Sequence, residues 1–528
     1  MLRWAKFIFY RRLTVDKLLH EVASMSLLCG SCVKTQPFTT MHASGEPFAL
    51  EQNYENAISS LNSLQSNFSV QQASVLRKHT DDCKHINDTI KYLERVGLSL
   101  PRLDKLPAIH VSGTKGKGST CAMVESILRS NGYRTGFFSS PHLISVTERV
   151  RLNGKPVSTD KFSAHFWKIY NQLMASREHT RDMPSYFCFL TIMAFDIFLQ
   201  EAVDVCVVEV GIGGRYDCTN VLRKTNTVGI TSLGLEHIKL LGNTLGEIAW
   251  QKAGIIKPDS DVFTVPQPTQ CIEVIEQECH LSKANLHIVS PGLQEYAWAK
   301  KPSLMEDACN IIEMNTSLAI QIATCWIHKT QKVARNSETM FITKQTVKGI
   351  EDCFWPGRFQ RISYDTQKTL YLDGAHTVES IEICARWYYA KSKWNHKRLL
   401  IFNTTGDRDS LKLLSTLLCT IKFDGAFFVP NVAFSSTTQA DAINHNFPFE
   451  HQMQRCRTNR DYWVEAMKNK NGFVHESIDS VFAQIDKEFS CEISDILITG
   501  SVHLIGAVLT ALKLERFTHS NRKLRMSH

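Results

Sequence analysis

The run HVSGTKGKGST, residues 110–120, brings Gly113, Gly116 and Gly118 together with Lys115, Lys117 and the hydroxyls of Thr114, Ser119 and Thr120. Glycines let a backbone come close to an anion, and an ammonium group supplies full positive charge. The unpaired amides that open a helix carry its positive dipole end. Ser119 and Thr120 stand where a hydroxyl can cap those amides or reach a magnesium ion held by phosphates. The spacing departs from the standard nucleotide loop, in which Gly is followed after four residues by Gly-Lys and then Ser or Thr. Val111 takes the place of the first glycine, and Gly118 intervenes between Lys117 and Ser119. The flanks nonetheless have the required order. The apolar run Ala108–Val111 predicts a buried strand, and Cys121–Ser130 carries apolar residues at helical spacing until Gly132. A plain glycine-rich turn before a helix is the alternative.

Other chemistry-bearing residues follow apolar runs in the same way. Glu209 ends the run DVCVVEV and precedes GIGGRYDCTN, whose glycines open the backbone to a ligand. A buried carboxylate without a partner is costly, so a bound cation or a salt bridge to a nearby lysine is expected there. Ser140 follows a strand in FFSSPHL, and His237 follows another in SLGLEHIKLLG. In an open parallel sheet the carboxyl ends of the strands are where ligands bind.

Strands and helices alternate along the body of the chain, which predicts an α/β fold with a parallel sheet. RVRLNGKPVS reads as a hairpin turning at Asn153-Gly154, and helices are expected at about 160–176 and 185–202. A polar, irregular stretch over 330–350 precedes a second series of strands near 369–373, 398–403, 425–429 and 495–499. That places a domain boundary near 340, giving a tail (1–40), a first domain (41–340) and a smaller doubly wound second domain (341–528). A length of 528 residues fits two domains and a tail.

A net charge of +8 is partly the work of the first 41 residues, where six Lys and Arg face two Asp and Glu. The rest is mildly basic and has no Lys/Arg stripe interleaved with aromatics, which excludes a nucleic-acid binder and favours small anionic substrates. Sixteen cysteines without regular spacing suggest reduced thiols. No run reaches the length of a membrane span; SYFCFLTIMAFDIFLQEAV is broken by Asp196.

GTKGKGST, FFSSPHL, VVEVGIGGRYDCTN, EHIKLLGNTLGEIAWQKAGIIK, WPGRFQ, YLDGAHT, FNTTGDRD and ITGSVHLIG occur in that order between about residues 51 and 512. This collinear set resembles the folylpolyglutamate synthases, which belong with the Mur ligases. The resemblance implies a P-loop ATPase-like parallel-sheet domain followed by a smaller Rossmann-like domain, with the active site in the cleft between them. It also implies ATP-dependent ligation of L-glutamate to the γ-carboxylate of tetrahydrofolate or its polyglutamates, by a monomer. By the same match, Gly113 to Thr120 bind ATP phosphates, and Ser140, Glu209 and His237 are magnesium ligands. Lys252 matches a lysine that family members carbamylate, where a carbamate would add negative charge near the metal. Arg358 and Asp373 match ATP contacts, with Asn315 beside the nucleotide. His376, Ser501 and His503 lie in motifs that organise the incoming amino acid.

Two departures stand out. Ile311 and Ile312 replace the His-Gln pair usual before the helix carrying Asn315, which bears on adenine contacts. Cys188 stands where bacterial relatives that make dihydrofolate carry glutamate, which argues against that second activity. A nucleotide-binding regulator without the ligase step and a P-loop kinase or motor are the alternatives from other classes.

The amino-terminal MLRWAKFIFYRRLTVDKLLHEVASMSLL is Arg-bearing, poor in acid and roughly amphipathic, as mitochondrial transit peptides are. The resemblance begins after Met41. Initiation at Met1 or at Met41 is therefore expected to give a mitochondrial and a cytoplasmic form.

Overall fold

The computed structural model describes residues 51–65, 84–302, 305, 310–332, 340–406, 408–435, 449–468 and 471–518. Met1, Met41 and the whole transit-peptide reading lie outside them.

At its centre the first sheet is built from short runs rich in apolar and β-branched residues and buried on both faces, as parallel strands between helices must be. Its strands are β1 (Ala108–Ser112), β2 (Thr135–Phe138), β3 (Val150–Leu152), β4 (Lys155–Pro156), β5 (Val205–Glu209), β6 (Thr227–Ile230), β7 (Asp261–Thr264) and β8 (Asn285–Ile288). They lie in the order β4-β3-β2-β5-β1-β6-β7-β8. All neighbours run parallel except at β3, which is antiparallel to both β2 and β4 and forms the hairpin expected at Asn153-Gly154. Every residue of β1 and β5 is buried. In the central register Val111 lies opposite Glu209, so the phosphate-type loop after β1 and the carboxylate at the end of β5 emerge side by side.

Helix α1 (Lys117–Ser130) follows β1 directly, and α2 (Tyr186–Gln200) covers the opposite face. Asp196, the charge that interrupts the apolar α2, is buried. It accepts from Lys168 Nζ at 2.9 Å, pairs with His165 Nδ1 at 2.8 Å and accepts from Gln200 Nε2 at 2.8 Å. Those partners explain how a buried carboxylate is tolerated there. No helix among the described residues is long and apolar enough to cross a membrane.

Two further helices, α3 (Leu245–Ala253) and α4 (Asn310–Gln331), complete the layers that bear on the cleft. β9 (Ala297–Trp298) pairs with β10 (Phe341–Ile342), and α5 (Lys344–Glu351) then lies along α1. Ile342, Val347 and Ile350 join the core beneath α1 and α4, and Ser126 Oγ donates to Gly349 O at 2.6 Å. The polar run that suggests a boundary near 340 is thus followed by about one helix that still packs on the first sheet. The second sheet begins only at Gln360.

The second sheet comprises β11 (Gln360–Ser363), β12 (Lys368–Leu372), β13 (Lys397–Phe402), β14 (Gly425–Phe428), β15 (Gly472–Val474) and β16 (Ser494–Thr499). Their order is β11-β12-β16-β13-β14-β15, parallel except at the β11 edge. Helices α6 (Val378–Lys391) and α7 (Val502–Thr518) leave the carboxyl ends of β12 and β16. Two doubly wound layers in series agree with the expected α/β class. The 12 cysteines among the described residues form no disulfide with one another.

The two layers meet through the loop after β2. A Cβ at Gly506 would lie 2.0 Å from Leu143 O, so glycine is what allows α7 to close against that loop. Leu143 is packed with the second sheet's apolar cluster.

Candidate active site in the cleft between the sheets

The carboxyl ends of both sheets face a cleft of about 890 Å³. From the first sheet it is lined by Thr114 to Ser119, Ser140, Glu209, Glu236 and His237, with Asn315 from α4. From the second come Arg358, Asp373, His376, Arg408, Ser501 and His503. Nearly all the site residues expected from the sequence therefore converge; Gly113, Thr120 and Lys252 stand just behind the lining.

Two glycines shape the phosphate-type loop. Gly113 has φ 142°, and a Cβ there would lie 1.8 Å from Thr231 Oγ1; Gly116 opens α1 with φ 91°, and its Cβ would lie 2.4 Å from Asn315 Oδ1. Only glycine fits both the backbone angle and the space. Thr114 ties the loop to the segment after β6: its amide donates to Ser232 O at 2.9 Å, its hydroxyl to Gly234 O at 3.2 Å, and Gly234 N donates back at 3.1 Å. Lys117 Nζ donates to Gly113 O at 3.1 Å, curling over the loop. Thr120 Oγ1 and Asn315 Oδ1 are buried and have no hydrogen-bond partner among the described residues. Unsatisfied buried polar atoms are rare, and Asn315, which lines the cleft against Gly116, sits where a polar ligand of the helix start would satisfy it. The loop's residues thus fit a polyphosphate, held by the open amides of α1 and by Lys117.

Glu209 is 5% exposed and lies within ion-pair distance of no cation among the described residues. Its Oε2 accepts from the Ser140 amide at 3.0 Å. Burial raises its pKa, opposed by the fields of Lys117, Arg358 and Arg149. The salt bridge expected as an alternative is thus not formed. His237 takes up the left-handed conformation, φ 53°, at the start of a one-turn helix, which turns its ring into the cleft. Although His237 is solvent-exposed, desolvation by the surrounding protein lowers its pKa to about 4 and favours the neutral ring. A neutral imidazole, a buried carboxylate and a serine hydroxyl are a donor set that suits a magnesium ion with some waters retained. Among the described residues no cluster of three or more His, Cys, Asp and Glu side chains is placed to hold a metal. The set rests on two such residues and a serine.

Lys252, on α3, is 4% exposed and donates to Gly113 O at 2.8 Å. Burial, reinforced by Lys117, lowers its pKa from 10.5 to about 7. The folded chain therefore lacks a proton that the unfolded chain keeps between about pH 7 and 10.5. This residue lowers stability progressively as pH falls through that window, and by a constant amount below it. That constant penalty is on the order of a few kcal/mol. Lys252→Met is expected to raise the melting temperature at pH 7.5 while lowering activity, since Gly113 O keeps Lys117 as a donor. A thermal scan of the two proteins beside a rate assay checks both halves.

On the second sheet, Asp373 accepts from the amides of Phe359 at 3.0 Å and Ala375 at 2.9 Å, tying the loop that carries Arg358 to the end of β12. Arg358 Nη1 donates to Gly357 O at 3.0 Å. Ser501 Oγ accepts from His503 N at 3.1 Å, a cap on α7. His503 is kept neutral by burial, its pKa lowered to about 4. His376 Nδ1 faces Gly374 O at 2.7 Å, and its Nε2 lies 3.3 Å from Glu236.

Glu236 and Arg408 are the site residues that sequence reasoning passed over. Glu236 accepts from Lys115 Nζ at 2.9 Å; burial raises its pKa, but His376 and Lys115 outweigh that and hold it well below the carboxylate range. Arg408 is anchored by Nη1 to Thr405 O at 2.7 Å, and burial lowers its pKa. The signal for Glu236 was its place beside His237; Arg408 lies in the quoted FNTTGDRD. Cys188, by contrast, is buried outside the cleft with Sγ 3.5 Å from Thr89 Oγ1, and Ile311 lines the cleft near Asn315.

Two mostly parallel sheets in series, with a glycine- and lysine-rich loop facing the second layer across a cleft, have the architecture of the ATP-dependent ligases of the Mur type. No protein-family model matches the chain. It is 42% identical over 434 residues to the mitochondrial folylpolyglutamate synthase of Cricetulus griseus, covering 78% of this chain and 73% of that one. It is 37% identical over 476 residues to a putative folylpolyglutamate synthase of Caenorhabditis elegans, covering 86% and 92%. A Mycobacterium tuberculosis folylpolyglutamate synthase complexed with ADP superposes with a TM-score of 0.66 at 22% identity, covering 87% of this chain and 99% of that one. The chain belongs to the folylpolyglutamate synthase family: an ATP-dependent ligase that adds glutamates to folates.

Proposed function

We propose that the cleft joins L-glutamate to the γ-carboxylate of tetrahydrofolate, or of a polyglutamate already built on it, through an acyl phosphate. A carboxylate is too stable to acylate an amine directly. The γ-carboxylate takes the terminal phosphoryl group of ATP, and ADP leaves. The glutamate amine then attacks the acyl carbon, a proton is lost from nitrogen, and the tetrahedral intermediate expels phosphate. The chain's share is positioning and charge neutralisation. The loop from Gly113 to Thr120, with Lys115 and Lys117, holds the phosphates; Asn315 lies beside the nucleotide. Arg358 stabilises charge on the transferred group from the opposite wall, and Asp373 fixes its loop. Glu209, His237 and Ser140 would hold magnesium, which when bound neutralises phosphate charge and orients the oxygens. His376, Ser501 and His503 orient the incoming amino acid. Lys252, if carbamylated, adds a second anionic group behind the loop. Contact between the layers excludes water from the acyl phosphate.

The observation that carries this reading is the convergence of the loop lysines, Glu209 and Arg358 on one cleft built by two sheets. Its test is isotopic. Folate labelled with heavy oxygen in the γ-carboxylate should pass one labelled oxygen to the phosphate released when the first glutamate is added. Release of wholly unlabelled phosphate would refute the acyl phosphate.

The two-domain division, monomeric state and dual location are part of the same proposal. The packing of Ile342, Val347 and Ile350 into the core beneath α1 supports drawing the division after Glu351 rather than at 340. The Cricetulus griseus relative is named as mitochondrial. Deleting residues 1–40 is expected to leave specific activity unchanged and to remove the mitochondrial pool, read by fractionation of a carboxyl-terminally tagged chain. Continued import of the shortened chain would refute the transit reading.

A further inference from the structure

Among the described residues, two contacts between the layers differ in kind. One is the apolar joint of Leu143 with α7. The other is polar. Glu236 Oε1 accepts from Lys115 Nζ of the phosphate-type loop at 2.9 Å and stands 3.3 Å from His376 Nε2 of the second layer. One carboxylate oxygen thus links the two halves of the site.

The surroundings hold Glu236 in that position. The segment before it is fixed to the loop by the exchange between Thr114 and Gly234, at 3.2 and 3.1 Å. Immediately after it, the left-handed turn at His237 fixes the chain direction. On the other wall His376 is oriented by Gly374 O at 2.7 Å and by the bond from its own amide to Ser380 Oγ at 3.0 Å. The two ring nitrogens of His376 face Gly374 O and Glu236 Oε1, which fixes the plane of the ring between the two walls. Burial lowers the His376 pKa, partly opposed by the bond to Glu236, so the charge of this contact lies on Glu236 and Lys115. The Glu236 side chain is only 17% exposed, between Lys115 and His376, and no role was assigned to it from the sequence.

We infer that Glu236 is a positioning residue: it latches the second layer onto the phosphate-type loop, setting the closed geometry in which His376 and Arg358 face the loop. The inference rests on the ligase reading of the cleft for its consequence, but its geometric content does not. Charge-assisted bonds to a half-buried carboxylate are among the stronger polar contacts, and a residue bonded from both layers opposes their separation.

The consequence is a divided kinetic effect. Without the latch Lys115 is released toward the nucleotide, so ATP binding should be kept or tightened. The closed arrangement becomes rarer, so turnover should fall.

The test compares the full-length enzyme with Glu236→Gln and Glu236→Asp. Small-angle X-ray scattering without ligands should give a larger radius of gyration for Glu236→Gln, with Glu236→Asp in between. Calorimetric ATP binding should stay within about threefold of the unaltered protein, while kcat falls at least about tenfold. Circular dichroism and a melting scan identify a variant that fails to fold; in that event Glu236→Asp, which keeps the charge, carries the same comparison. Unchanged scattering together with unchanged kcat would overturn the inference. So would a loss of ATP affinity as large as the loss of kcat, which would make Glu236 part of the nucleotide site. Because scattering reads the latch without any reaction, absence of ligation by the unaltered protein would defeat the mechanism and leave the latch standing or falling separately.

Discussion

Glu209→Gln should lower turnover about a hundredfold or more while the protein stays folded, since an amide keeps the size of the side chain and loses its charge. Glu209 is 5% exposed, faces the cleft at the end of β5 and accepts one backbone amide, from Ser140. No cation offsets its charge within ion-pair distance among the described residues, and burial pushes its pKa upward. A carboxylate kept in such a place is costly unless a ligand compensates it. If that ligand is magnesium, the variant should also need far more magnesium for half-maximal rate. A rate titration with magnesium chloride checks this; an unchanged magnesium dependence would remove Glu209, and with it the proposed set with His237 and Ser140.

Lys117→Ala is the second large effect. Lys117 is the cation nearest the start of α1, and its ammonium reaches back to Gly113 O at 3.1 Å over the loop. Removing a preorganised donor to a transferred group costs about 3–4 kcal/mol of transition-state stabilisation, or several hundredfold in rate. Gly113 O still has Lys252 at 2.8 Å, so the loop should keep its shape and the loss should fall on kcat/KM rather than on the melting temperature. Steady-state kinetics with a parallel thermal scan separates the two, and near-normal kinetics would contradict the assignment.

Much of this site could be read in the sequence because its residues follow strands that announce themselves. Strands expected at 369–373, 398–403, 425–429 and 495–499 appear at Lys368–Leu372, Lys397–Phe402, Gly425–Phe428 and Ser494–Thr499. These are short apolar runs enclosed by helices, where composition and burial coincide. β11, at the antiparallel edge with mostly polar residues, gives no such run and was not anticipated. Likewise the polar stretch before 350 reads as a linker, yet α5 follows it and returns to the first core through Val347 and Ile350. Amphipathic character fixes that a helix must pack, not which layer it joins. Glu236 was hidden for a related reason. Its pairing with His376 joins residues far apart in the chain, and no local spacing encodes it. Lys115, its other partner, keeps 33% of its side chain exposed, so nothing in the sequence hints that it meets a carboxylate rather than solvent.

The most direct measurement of the central claim is ligation itself. The purified full-length protein, given ATP, magnesium, tetrahydrofolate and isotopically labelled glutamate, should form folate products lengthened by one or more glutamates. Each added residue should be matched by one ADP and one phosphate, and omission of ATP should abolish the reaction. ATP hydrolysis with no labelled glutamate in the folate fraction, or nucleotide binding with no turnover, would contradict the account.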